Sequence, residues 1–98
     1  MKKSKTNKYS IKDWAGSLLK LRDMASLMIF LNGMFTKQEL KRIAIRWKLL
    51  ELLVKNVPQR EIAKKLNVSL CNITRGSREL RKSSDFKNMV IKLLKERN

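Results

Sequence analysis

The chain has 98 residues, room for one small domain, and sets 24 Lys and Arg against 8 Asp and Glu, a formal net charge of +16. A balance that basic points to a polyanionic partner, nucleic acid before an acidic membrane surface. With no histidine and one cysteine, Cys71, the commonest metal ligand and general base is missing and neither a disulfide framework nor a thiolate metal cluster can form, which fits a reducing cytoplasm.

Residues 1–9 open on the lysine-rich "MKKSKTNKY" and are expected to be a disordered basic arm, either a solubilising tail or one that touches phosphate. They lead into no signal-type apolar core with a small-residue cleavage site. A single all-helical domain is expected over residues 10–98. "SIKD" (Ser10 to Asp13) has the form of a helix cap, and the helix is expected to run through Trp14, Leu18, Leu21 and Met24. The segment from Ala25 to Asn32 is apolar nearly all the way round, so it must be enclosed, and in so small a chain the enclosure expected is a second subunit. The run from Met24 to Phe35 is shorter than the roughly 20 apolar residues that a bilayer requires.

"TKQE" (Thr36 to Glu39) matches a capping box. The helix it starts carries Leu40, Ile43, Trp47, Leu50 and Val54 at helical spacing and is expected to end near Asn56, which tolerates a left-handed C-terminal cap. Pro58 suits a first turn. Ile62 and Leu66 then give one apolar face, Asn67 interrupts it, and Ser69 can cap a further helix. "SSDF" opens the last helix, whose expected packing stripe is Phe86, Val90, Leu93 and Leu94. The pattern totals six helices and no strands, with Pro58 the only proline.

Residues 58–82 fit a helix-turn-helix. Two helices packed steeply through a tight turn need a small residue at their contact, a residue tolerating positive φ four positions later, and an apolar one six after that. Ala63, Asn67 and Ile73 satisfy all three, with Ile62, Leu66 and Val68 filling the core; an ordinary helical hairpin is the competing reading. In a DNA-reading pair the second helix enters the major groove, so Leu70, Cys71, Asn72 and Thr74 would face base edges. Gln59, Arg60, Lys64, Ser77, Arg78, Arg81 and Lys82 would hold phosphates. Gly76 is anomalous, because a glycine inside a helix costs about 1 kcal/mol relative to alanine. Its position would ordinarily carry the apolar side chain that closes the second helix onto the core.

"ITRGS" (Ile73 to Ser77), "QRE" (Gln59 to Glu61), and Thr36 with Arg46 stand at the spacing of the tryptophan repressor family, which the chain resembles from about Trp14 onward. The segment before "QRE" is one residue shorter than in the best-known members. The resemblance implies a six-helix intertwined homodimer, a transcriptional repressor whose operator binding is gated by L-tryptophan as corepressor, with no other cofactor. It implies that Arg75, and Arg46 of the other subunit, sandwich the indole, that Arg75 pairs with the carboxylate, and that Gly76 leaves room for the ring. Thr36 and the carbonyls of Gly33 and Phe35 would complete the polar contacts.

The chain departs from the family at Glu79, which replaces a small hydroxyl residue near the ligand's amino group. A carboxylate there either pairs with the ammonium or neutralises Arg75. With the high net charge, it keeps open a DNA-binding protein of the same fold that is constitutive or answers another small ligand. A membrane-surface protein is the third reading, weakened because the Met24 to Phe35 segment lacks basic/apolar sidedness. No nucleophile–base constellation assembles, so no enzyme is expected.

Overall fold

The computed structural model describes residues 9–96, so the basic arm expected over residues 1–9 lies outside them except for Tyr9. Among the described residues there are six helices and no strand: α1 (Ile11–Leu18), α2 (Met24–Met34), α3 (Lys37–Val54), α4 (Gln59–Leu66), α5 (Leu70–Lys82) and α6 (Ser84–Lys95). The chain divides into two compact units, Met1–Leu40 and Lys41–Asn98, with the boundary inside α3.

Most helix ends follow from local hydrogen bonds. Ser10 Oγ accepts from the Asp13 N–H at 3.0 Å, Ser69 Oγ from Asn72 at 3.3 Å and Ser83 Oγ from Phe86 at 3.1 Å, each satisfying a donor that the first helical turn leaves unpaired. At α3 the capping box closes in both directions: the Glu39 N–H donates to Thr36 Oγ1 at 3.1 Å, and the Thr36 N–H donates to Glu39 Oε1 at 2.9 Å. Asn56 ends α3 with φ of 62°. The Val57 N–H then reaches the Leu52 carbonyl and the Asn56 N–H the Leu53 carbonyl, both at 3.0 Å, which is a Schellman motif. Asn67 repeats the left-handed turn after α4, at φ 54°.

The first helix is shorter than its apolar spacing suggests. It stops at Leu18 instead of continuing through Leu21 to Met24, because Asp23 starts a new helix. The Asp23 carboxylate accepts from the Ser26 N–H at 2.7 Å and from its hydroxyl at 3.1 Å. These bonds, the backbone one first, hold the Asp23 carboxyl below the usual carboxylate range.

Within the first unit, Trp14 and Phe35 meet edge to face at 6.0 Å, and the Trp14 indole N–H is buried without an acceptor among the described residues. Helix α2 has no buried residue, and Met24 and Ile29 are 70% and 75% exposed.

In the second unit α3 is packed on two sides. Leu49 and Leu52 join Ile62 of α4 and Ile73 of α5, both fully buried, with Ala63, Leu66 and Val68 packed against them. Leu50 joins Leu80 of α5 and Val90 of α6, backed by Trp47, Val54 and Leu94. Glu51 is buried between these sides and is held by Lys48 Nζ at 3.3 Å and Lys55 Nζ at 2.7 Å. Two members of the stripe expected on α6 lie outside this core: Phe86 is 36% and Leu93 51% exposed. They share a helix face with Val90 but stand about one turn to either side of it along α6, where the packing against Leu50 and Leu80 thins out. Ile43, expected on the packing face of α3, is likewise exposed.

Candidate ligand cleft and helix pair

Helices α3 and α5 touch at Gly76. A Cβ built there would lie 2.7 Å from Leu49 Cδ2, 3.4 Å from Leu53 Cδ1 and 3.9 Å from Leu50 Cδ2. The space freed by the missing side chain is therefore occupied in part by Leu49, and the glycine is a point of close helix approach as well as a gap. Around that contact lies an open cleft of about 680 Å³. Helix α3 gives it Arg42, Ile45, Arg46, Leu49 and Leu50, while α5 gives it Asn72, Arg75, Gly76 and Glu79. Val68 and Phe86 complete its apolar wall.

Four residues expected at a ligand, Arg46, Arg75, Gly76 and Glu79, thus line one cleft. Arg46 and Arg75 of one chain both line it. The Glu79 carboxylate lies 3.6 Å from Lys82 Nζ, one turn along α5, and among the described residues no ion pair links it to Arg75. Gly33, Phe35 and Thr36 belong to the first unit, where Thr36 serves as the cap of α3.

Helices α4 and α5 pack through the turn Asn67 to Ser69, with Ile62 and Ile73 fully buried at their contact. The charged residues expected at phosphates, Arg60, Lys64, Arg78, Arg81 and Lys82, are all exposed. So are Leu70, Cys71, Asn72 and Thr74 along one end of α5. Thr74 Oγ1 lies 3.5 Å from Gln59 Oε1, tying the start of α4 to α5, and Arg81 donates to Ser77 Oγ at 3.0 Å. Asn72, expected only at DNA, also lines the cleft.

The family model of the Trp repressor protein matches residues 10–95. The chain belongs to the Trp repressor family. The family is one of DNA-binding transcriptional repressors, regulatory and not enzymatic, and the helical architecture fits it. No curated protein and no solved structure matches the chain. No helix among the described residues is long and apolar enough to cross a membrane. Arg42, Ile45 and Phe86 were not anticipated in the cleft. For Arg42 the signal was its place four residues before Arg46, which puts both on one helix face.

Proposed function

We propose that this Trp repressor family member binds operator DNA as a homodimer and represses transcription, with L-tryptophan as the corepressor seated between α3 and α5. The observation that carries the reading is the convergence of Arg46 and Arg75 on one cleft with an apolar wall. Guanidinium planes stack on aromatic faces and hold carboxylates through paired hydrogen bonds, so two arginines beside an apolar surface suit an aromatic amino acid. Arg75 takes the carboxylate, Arg46 lies over the indole, and Glu79 meets the ammonium. A ligand wedged between the two helices changes the angle of α5 on α3, and so changes how the α4–α5 pair meets the groove.

In that pair Leu70, Cys71, Asn72 and Thr74 face bases, while Gln59, Arg60, Lys64, Ser77, Arg78, Arg81 and Lys82 hold the backbone. Dimerisation is supported by apolar surface that the single chain leaves exposed on α2 (Met24, Met28, Ile29, Met34) and on one face of α6 (Phe86, Met89, Leu93). The second reading, a repressor that is constitutive or answers another ligand, is favoured by Glu79 and Arg42 in the cleft.

Calorimetric titration of L-tryptophan into the protein separates the two. Saturable binding at one site per chain, lost in Arg75→Ala, is expected. Absence of binding and of thermal stabilisation would remove tryptophan and leave the second reading.

A further inference from the structure

The cleft carries more positive charge than one carboxylate pairs with. Its lining holds Arg42, Arg46 and Arg75 against Glu79, three cations and one anion, a local excess of +2. Glu79 is itself shared with Lys82 at 3.6 Å, and among the described residues none of the three guanidiniums is engaged in an ion pair. A ligand with no net charge leaves that excess and its mutual repulsion in place, whereas each added anionic group relieves it.

Geometry adds direction. Arg42 and Arg46 are separated by four residues on α3, about 6 Å along the axis and on the same face. That spacing lets two acidic groups of one small molecule meet different guanidiniums. The same cleft is lined by the apolar side chains of Ile45, Leu49, Val68 and Phe86. A DNA phosphate would need no such apolar surface, so the cleft is shaped for a small amphiphile.

We infer that Arg42 makes this cleft a seat for a ligand with an apolar body and two anionic groups, held more tightly than a mono-acid of the same body. The inference rests on the second reading above, in which the cleft seats an effector other than L-tryptophan, and it names the chemistry of that effector.

The test is calorimetric titration of the full chain with 3-phenylpropanoate and with 2-benzylsuccinate at constant ionic strength. Both probes present a phenyl body, and they differ by one carboxylate. The di-acid is expected to bind roughly tenfold tighter, the scale of one added charge-assisted hydrogen bond. Arg42→Gln, at an exposed position, should erase that advantage, weakening the di-acid far more than the mono-acid, with circular dichroism confirming an intact fold. Equal affinities, or an advantage that survives Arg42→Gln, overturn the inference and leave the effector seat standing. If neither probe nor L-tryptophan binds, the effector seat falls with it.

Discussion

Replacing Gly76 by alanine sets two opposed effects against each other. Alanine gains about 1 kcal/mol of helix propensity over glycine. The new methyl would stand 2.7 Å from Leu49 Cδ2, whereas carbon atoms sit comfortably at about 3.5–4.0 Å, so Leu49 or α5 must retreat by roughly 1 Å. Leu49 is buried in the cluster with Leu52, Ile62 and Ile73, and overpacking of this kind costs about 1–3 kcal/mol. The balance is a loss of about 0–2 kcal/mol, smaller than a backbone clash would give because the obstructing atom ends a side chain that can rotate. Leu49→Val removes the δ-methyls, so in that background Gly76→Ala should stabilise the protein by about 1 kcal/mol, the propensity gain alone. Urea unfolding of the four proteins in this cycle reads the sign directly. If Gly76→Ala changes stability equally in both backgrounds, or stabilises the wild type by the full propensity gain, the helix contact is wrong.

Three other perturbations probe separate parts of the account. Ile62→Ala empties a fully buried site between α4 and α5 and should lose about 2–5 kcal/mol in denaturant unfolding; a loss below about 1 kcal/mol would mean that this contact is not packed as described. The Asp23 carboxyl is depressed by its bonds to Ser26, so its contribution to α2 is present above the ordinary carboxylate range and fades as pH falls through the lowered value. Asp23→Asn keeps a cap and should flatten the acid limb of the helical circular dichroism signal, and an unchanged limb would refute the assignment. Lys82→Ala should lower the slope of log affinity against log salt for duplex DNA by about 0.9, the share of one phosphate, and an unaltered slope takes Lys82 off the backbone-contact surface.

What could be read from the residue order follows the range of the interactions. Caps at Ser10, Thr36, Ser69 and Ser83 and the left-handed turns at Asn56 and Asn67 depend on neighbours within a few positions, and they stand in the structure as their spacing implied. The break between α1 and α2 was obscured because Leu18, Leu21 and Met24 keep helical spacing straight across it, while Asp23 and Ser26 supply the competing cap. Periodicity told which residues of α6 share a face, but not how far α3 and α5 extend over it, so Phe86 and Leu93 were assigned to the core. Arg46 and Arg75 were recognised from their motif. That they line one cleft within a chain, with Arg42 beside them, depends on how α3 faces α5, a long-range packing relation with no local signature. The same holds for Leu49 against Gly76.

The central claim is that the α4–α5 pair reads DNA sequence, and selection from a random duplex library tests it most directly. Rounds of binding at near-physiological salt, with and without L-tryptophan, should enrich one two-fold-symmetric site that the protein prefers over scrambled duplex, as expected for a dimer presenting two reading helices. Thr74→Ala should relax that preference more than it weakens overall affinity. Recovery of no common sequence, with equal affinity for every duplex, would leave only the electrostatic attraction of a highly basic chain and contradict the account.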